Sequence, residues 1–190
     1  MTPDDETLTS VLLDAARQRG PDKTICPSEV ARSLFPDSDK QWRAIMPRIR
    51  TAASELADRG WVRITRQGSE VPATGGGGPI RIGIRVDARP DDTPILDVIN
   101  LGPACAADLR SIDIHHLGDL RHLGARKAFE RTMMDRLLQD HRKNHFHSMY
   151  LYAIWGGLHR QNINDLTPAI REWLKRIAAE VKVEVLGSNQ

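Results

Sequence analysis

The stretch WRAIMPRIRTAASEL, residues 42–56, decides the fold of the first half of the chain. Its apolar side chains recur at the spacing of one helical face, and Gly60 follows as a typical helix end. The apolar stripe consists of Trp42, Ile45, Met46, Ile49, Ala52, Ala53 and Leu56. Pro47 lies inside the pattern and removes one backbone donor, so the helix either begins near Pro47 or is kinked one turn earlier. We predict the regular part of this helix at residues 47–59.

Two shorter helices precede this stretch. Apolar residues recur at helical spacing over residues 6–19, and Gly20 followed by Pro21 predicts the end of that helix. Pro27 and Glu29 are residue types that favour the first turn of a helix, and they open the second one. The first module therefore contains three helices.

Two alternating runs after the third helix predict a β-hairpin. Residues 61–66 and 80–85 alternate between apolar and polar side chains, which is typical of half-buried strands. The side chains predicted to face inward are Val62, Ile64, Ile80, Ile82 and Ile84. The Gly-rich connection, residues 68–79, is long for a hairpin, which favours a functional or disordered loop. Three helices and a hairpin wing indicate a winged helix-turn-helix, in which Thr24-Ile25 supplies a short strand that pairs with the wing.

The segment KTICPSEVA, residues 23–31, carries a resemblance to a known family. Together with Trp42-Arg43 and with MPRIR at residues 46–50, it resembles a bacterial domain family of unknown function over about residues 6–85. The resemblance implies a winged-helix fold for this module, and it implies no activity.

The second half of the chain is predicted to be helical after a short linker. Residues 86–93 contain a proline and three aspartates and predict that linker. Two helical stripes follow, made of Leu151, Ile154, Trp155 and Leu158, and of Ile170, Trp173, Leu174 and Ile177. Thr167 and Pro168 suit the cap and the first position of the later helix. We predict a mainly α protein with a winged helix-turn-helix domain at residues 1–85 and an all-α domain at residues 94–190.

Residues 98–109, VINLGPACAADL, predict the turn of a helix-hairpin-helix at the start of the second domain. Gly102 allows an unusual backbone angle and Pro103 presets the first helical turn, whose free amides can receive a phosphate. The usual motif has a second glycine where this chain has Ala104. Gly102 and Ala104 are accordingly predicted to lie at DNA.

Several separated motifs in this domain resemble the C-terminal domain of the TfoX/Sxy family. They are Leu101-Gly102-Pro103, Leu109, Ile114, Asp119-Leu120, Leu123-Gly124-Ala125, Leu151-Tyr152-Ala153 and Asn164-Asp165-Leu166. The resemblance covers roughly residues 94–178, and it implies a helical domain with a helix-hairpin-helix-like start and a link to the regulation of competence for DNA uptake. Asp113 stands where the family pattern has a glycine, and the winged helix replaces the family's own N-terminal domain.

Positive charge is concentrated in one segment of the chain. The net charge of the whole chain is +2, whereas residues 40–85 contain nine basic and three acidic residues, a net charge of +6. Arginine suits forked contacts with phosphate or guanine, so this segment is predicted to bind duplex DNA through the third helix and the wing. The predicted DNA-binding residues are Arg43, Arg48, Arg50, Arg63, Arg66, Arg81 and Arg85, together with Gly102 and Ala104.

Three other interpretations of these residues stay open. An Arg-rich surface is often only a solvated face, and it can also meet an acidic protein, which would make the chain a protein–protein adaptor without DNA affinity. Cys105 near a helix N-terminus could be an activated nucleophile of an enzyme, although the spacing assigns it no partner. Our leading prediction is a non-enzymatic, DNA-associated transcription or competence-type regulator, with a regulatory protein as a further partner.

No cofactor, metal or membrane partner is predicted. His141 and His145 have the spacing of two ligands on one helical face, but no His-Glu-x-x-His motif is present. The glycines at residues 75–78 are not followed by the Gly-Lys-Ser/Thr of a phosphate loop. No apolar run approaches the ~18 residues that span a bilayer, and the acidic start is unlike a secretory signal. We therefore expect a cytoplasmic location, and we predict no oligomeric state.

Overall fold

The computed structural model describes residues 3–73, 78–87, 89–140 and 147–187. The chain divides into two compact units, Met1–Val86 and Asp87–Gln190. In the described ranges the first unit combines three α-helices with a three-stranded sheet, and the second contains five α-helices. The predicted fold class, mainly α with three helices and a hairpin followed by an all-α domain, is confirmed. Within the same ranges, each helix is too short or too polar to cross a bilayer.

The helices of the first unit are α1 (Asp5–Arg19), α2 (Pro27–Leu34) and α3 (Asp39–Asp58). The Asp4 carboxylate caps α1 by accepting the backbone N–H of Thr7 at 2.8 Å. Gly20 ends α1 with a φ of 85°, in the left-handed region that glycine adopts without strain. Pro27 occupies the first turn of α2, as predicted.

The third helix begins at Asp39, and the prediction of a regular helix at residues 47–59 was wrong. Ser38 caps the helix by accepting the backbone N–H of Gln41 at 3.4 Å. Trp42 is buried against the core of the unit, so packing stabilises the turns that precede Pro47. Pro47 itself lies on the exposed side of α3, where the loss of one hydrogen bond is tolerated because water can reach the backbone.

The sheet of the first unit has the strands β1 (Val62–Arg66), β2 (Ser69–Glu70) and β3 (Arg81–Ile84) in the antiparallel order β2-β1-β3. Ile64 pairs with Ile82, and Ile25 bridges Ile82 on the other side, as the sequence predicts for a strand added to the hairpin. The predicted inward side chains are buried, except that Ile84 is half-buried. β2 lies within the connection predicted as one long loop, because Gln67 and Gly68, with φ values of 51° and 83°, make a tight turn after β1.

The core of the first unit lies between the three helices and the inner face of the sheet. Its largest fully buried side chains are Leu8, Leu12, Ile49, Leu56, Ile64, Ile80 and Ile82. The apolar side of α3 packs in this core, so the opposite side of the helix faces solvent.

The helices of the second unit are α4 (Pro103–Ser111), α5 (Leu117–Leu123), α6 (Ala125–Asp140), α7 (Ser148–His159) and α8 (Pro168–Gly187). The predicted stripe on α7 is buried from Leu151 to Leu158, and Trp155 packs in the same core as Phe129 of α6. Thr167 Oγ1 accepts the backbone N–H of Ile170 at 3.3 Å, which confirms the predicted cap of α8.

The turn before α4 differs in detail from the predicted one. Gly102 has a φ of −65°, which any residue can adopt, and the left-handed position of this turn is Asn100, with a φ of 68°. The residues before this turn form the short 3-10 turn Ile95–Asp97 instead of the end of an α-helix. Asparagine is one of the few residue types that adopt the left-handed region readily. The Asn100 side chain makes a tertiary contact, in which its Nδ2 donates to the carbonyl oxygen of Gln161 at 2.8 Å. Asp113, with a φ of 64°, lies in the turn that follows α4.

The segment predicted as a linker, residues 86–93, is bonded to the second unit from Asp87 onward. The Asp87 carboxylate accepts hydrogen bonds from Arg89 and, at 2.8 Å, forms an ion pair with Arg121. Arg89 Nη2 also donates at 2.9 Å to the carbonyl oxygen of Gly157, near the C-terminus of α7, where carbonyls lack partners within the helix. We call Asp87, Arg89 and Arg121 the Asp87 cluster. Acidic composition suggested a free linker, but Asp87 and Asp91 both form ion pairs with the buried side chain of Arg121.

Two glycines of α7 lie in close contact with neighbouring backbone. A Cβ added to Gly156 would lie 2.7 Å from the carbonyl oxygen of Gln161 and 2.8 Å from Nδ2 of Asn100. A Cβ on Gly157 would lie 2.9 Å from a methyl group of Val98. All three distances are shorter than side-chain contacts allow, so any larger residue at these two positions must displace its neighbours.

We expect Gly156→Ala to lower the free energy of unfolding of the second unit by about 2 kcal/mol, because the added methyl group must displace backbone. The measurement is the urea midpoint of the full chain for wild type and variant. The matched control is Gly187→Ala, since a Cβ there meets nothing within 4 Å. Equal midpoints for Gly156→Ala and Gly187→Ala would contradict the close packing of α7.

Candidate nucleic-acid interface

The solvent side of α3 combines cationic and small residues. Lys40 and Arg43 lie in its N-terminal turns and are exposed, and Ala44, Pro47 and Thr51 are exposed along the following turns. The small side chains leave the helix backbone open to close approach by a partner. The cations at the N-terminal end of α3 would attract an anionic partner.

Arg43 lies on an aromatic side chain. Its guanidinium carbon is 4.5 Å from the centre of the Trp42 ring, a cation–π distance. Arg32, at the end of α2, lies 4.7 Å from the centre of the same ring. Arg32 was not among the predicted contacts, because it lies outside residues 40–85, the segment in which positive charge is concentrated.

Arg50 and Arg66 both lie near Gly78, at the end of the loop that precedes β3. Arg50 donates to the carbonyl oxygens of Ala73 and Gly78, at 3.3 and 3.2 Å. A Cβ added to Gly78 would lie 4.0 Å from Nε of Arg66, so both guanidinium groups reach this residue. Carbonyl oxygens carry no net charge, and Arg50 therefore keeps its positive charge while its position is fixed.

Three of the predicted arginines are paired with carboxylates. Arg48 contacts Asp5 at 2.7 Å and Arg81 contacts Glu29 at 3.5 Å, both at the surface. Arg85 contacts Glu70 at 2.6 Å, and the two side chains are only 16% and 15% exposed. Pairing reduces the charge that these arginines offer to DNA, and Arg85 is also the most covered of the three.

Arg63 lies on the outer face of the sheet, because it alternates with the buried Val62 and Ile64 along β1. Its Nη2 donates to the carbonyl oxygen of Pro21 at 3.0 Å, and its side chain crosses Gly83, whose added Cβ would lie 3.1 Å from Nε. The structure therefore separates the predicted arginines into two groups. The first group, Arg43, Arg50 and Arg66, lies around α3 and the end of the loop before β3. The second group, Arg63 and Arg81, lies on the outer face of the sheet.

The N-terminus of α4 exposes both residues predicted there. Gly102 is the cap and Ala104 lies in the first turn, and both are solvent-exposed. A Cβ added to Gly102 would have no neighbour within 4 Å, so the fold itself does not require glycine at this position. The contact of Gly102 and Ala104 with DNA stays a prediction.

The surroundings of Cys105 oppose a nucleophilic role. Burial raises the pKa of its thiol, and Asp108 acts in the same direction, so the reactive thiolate is disfavoured. The hydroxyl of Tyr150 donates to the carbonyl oxygen of Cys105 at 3.2 Å and to the Asp108 carboxylate at 3.1 Å. Burial also raises the pKa of Tyr150, so this hydroxyl stays protonated as a structural donor.

The residues considered for a metal or phosphate loop are only partly covered by the structure. His141 and His145 lie outside the described residues, as do Gly75, Gly76 and Gly77. Within the described ranges, no three His, Cys, Asp or Glu side chains form a group that could hold a metal ion.

Each unit matches one family model. Residues 5–85 match the family described as a protein of unknown function, DUF3253, and residues 92–178 match the TfoX C-terminal domain. Both predicted resemblances are thereby confirmed. The second family is linked to competence regulation, which is consistent with a regulatory role for the chain. A comparison with curated proteins finds no match.

Proposed function

We propose that this chain is a non-enzymatic, DNA-associated regulator whose first unit binds duplex DNA through α3 and the adjoining loop end. The observation that carries the proposal is the outer side of α3, where the exposed Arg43 and the half-buried Arg50 lie two turns apart with no carboxylate bonded to either in the described structure. The likeness of the second unit to the TfoX C-terminal domain supports the regulatory part of the proposal.

The shape of α3 suits a DNA groove. The major groove is about 12 Å wide and admits one α-helix. Exposed Ala44 and Pro47 lie between the two arginines and keep the helix narrow there. The arginines then reach phosphates at the groove edge, where the guanidinium fork forms paired hydrogen bonds.

The second unit has a supporting role in this proposal. Gly102 and Ala104 open α4, and its first backbone amides are suited to a phosphate. A regulatory protein is the further partner that we propose for this unit. Contact with chromosomal DNA would place the chain in the cytoplasm.

A protein–protein adaptor is the second candidate function. It is favoured by the ion pairs of Arg48, Arg81 and Arg85 with carboxylates, which leave the surface less cationic than the sequence alone suggests. In this alternative, α3 meets an acidic protein surface and has no affinity for DNA.

We expect the full chain to bind a random-sequence duplex with an affinity that falls steeply with salt. Each phosphate contact contributes about −0.9 to the slope of log K against log salt. Contacts by Arg43 and Arg50 alone predict a slope of about −1.8, or a loss of about twelvefold between 50 and 200 mM salt. The measurement is fluorescence anisotropy of a labelled duplex at several salt concentrations. Binding to polyglutamate without binding to the duplex at 50 mM would replace this proposal by the adaptor function.

A further inference from the structure

The ring of Trp42 holds two arginine side chains from different helices. The guanidinium carbons of Arg32 and Arg43 lie 4.7 and 4.5 Å from the ring centre, so they are no farther apart than about 9 Å, the sum of those distances. Both arginines are exposed, whereas Trp42 is 8% exposed. We infer that Arg32 and Arg43 form a two-arginine site for the phosphodiester backbone of DNA, an inference that rests on the proposed function of α3.

The ring that positions these arginines is itself fixed. Nε1 of Trp42 donates to the Asp39 carboxylate at 2.9 Å, and the rest of the indole packs in the core of the first unit. A planar guanidinium on a fixed ring loses fewer conformations on binding than a side chain that moves freely in solvent. The site is therefore ordered before its ligand arrives.

The charges of the two arginines favour an anion beside them. Two cations at this distance repel each other, and the electron-rich face of the indole offsets that repulsion only in part. In the described residues the Asp39 carboxylate accepts the Trp42 ring N–H, and no ion pair joins it to either arginine. A phosphate in contact with both guanidinium groups would relieve the repulsion and form charge-assisted hydrogen bonds with each.

The position on α3 favours DNA phosphates over the carboxylates of a protein. Arg43 precedes Arg50 by two helical turns on the same exposed side, and the small Ala44 and Pro47 lie between them. A duplex presents phosphates in a regular row along the edge of a groove. Arg32 extends the row of cations beyond α3 to the end of α2, which fits a continuous strand better than an isolated acidic side chain.

We expect Arg32→Ala and Arg43→Ala, each in the full chain, to weaken binding of a random duplex about tenfold at 50 mM salt. Each should also reduce the salt slope by about 0.9. Arg32→Lys keeps the charge without the planar stack, so it should preserve the slope and lose less affinity than Arg32→Ala. The control is Arg17→Ala, which removes an exposed arginine of α1 paired with Asp14 and should leave affinity and slope unchanged.

The outcomes separate this inference from the proposed function. If the wild type binds duplex with a salt-dependent affinity and Arg32→Ala behaves like Arg17→Ala, the two-arginine site is wrong and the function of α3 stands. A loss of affinity with an unchanged slope would show that Arg32 acts only on the fold, which also overturns the site. Weaker binding of Arg32→Ala to polyglutamate, with duplex binding intact, would assign these arginines to an acidic protein. Absence of duplex binding by the wild type would overturn both the two-arginine site and the proposed function of α3.

Discussion

Replacement of Asp87 by alanine is expected to lower the free energy of unfolding of the second unit by about 3 kcal/mol or more. The Asp87 carboxylate is 8% exposed, and it accepts hydrogen bonds from Arg89 and forms a 2.8 Å ion pair with Arg121, whose side chain is also 8% exposed. Alanine would leave the buried guanidinium of Arg121 paired with the exposed carboxylate of Asp91, without the buried one of Asp87. The Arg89 side chain, which bonds to the end of α7, would lose the carboxylate that orients it.

The measurement is chemical unfolding of the full chain, followed by a signal from the tryptophans of the second unit. The matched control is Asp92→Ala, which removes an exposed aspartate five residues further along the same segment. A loss of less than about 1 kcal/mol for Asp87→Ala, or an equal loss for Asp92→Ala, would show that the cluster contributes no more than a surface ion pair.

The same carboxylate makes the stability of the second unit sensitive to acid. Burial alone would raise the pKa of Asp87, but hydrogen bonds from Arg89 and Arg121 outweigh burial and hold that pKa well below its ordinary value. A lowered pKa in the folded state means that Asp87 stabilises the fold above the unfolded pKa, near 4, and that this contribution is lost as pH falls below it. Asp87→Asn should therefore flatten the decline of stability between about pH 4 and pH 2.

The double variant Arg43→Ala with Arg50→Ala is expected to reduce duplex affinity about a hundredfold at 50 mM salt and to lower the salt slope by about 1.8. Both arginines lie on the exposed side of α3, one on the Trp42 ring and the other bonded to the carbonyl oxygens of Ala73 and Gly78. Two phosphate contacts would account for both the loss of affinity and the lower salt slope. If either arginine reads a base instead, its removal should cost about 1–3 kcal/mol on one preferred sequence and little on others.

The control for this variant is Arg81→Ala, since Arg81 lies on the outer face of the sheet and contacts Glu29 at 3.5 Å. We expect its affinity to stay within about twofold of the wild type. Because Arg50 also tethers the loop before β3, the melting temperature of each variant is measured alongside binding, and Arg43→Ala alone tests the helix without that loop. Equal losses for Arg81→Ala and Arg43→Ala would mean that binding depends on net charge and not on α3.

Local sequence patterns predicted most of the fold because they are short-range signals. The apolar stripe from Trp42 to Leu56 predicts the buried face of a helix, and the alternation of Val62 with Ile64 predicts the buried face of a strand. The structure buries both faces. The start of α3 was missed because Pro47 is a local stop signal, while the packing of Trp42 that overrides it is a tertiary contact.

The candidate site was only partly predictable because ion pairs join residues that lie far apart in the sequence. Nothing near Arg48 in the chain shows that Asp5 neutralises it, and nothing near Arg85 shows that Glu70 covers it. Arg32 was missed because it lies outside the basic segment of the sequence, and its link to α3 is the ring of Trp42. Composition locates the charge, whereas the tertiary fold decides which charges stay available.

The Asp87 cluster also sets the limits within which this unit can be exchanged between proteins by recombination. The match to the TfoX C-terminal domain begins at residue 92, after Asp87 and Arg89, although both bond to residues inside the matched region. A gene fusion that joined a new N-terminal domain at residue 92 would separate Arg121 from its buried carboxylate and α7 from the side chain bonded to its end. The compact unit that contains these contacts therefore begins at Asp87, five residues before the match to the family starts.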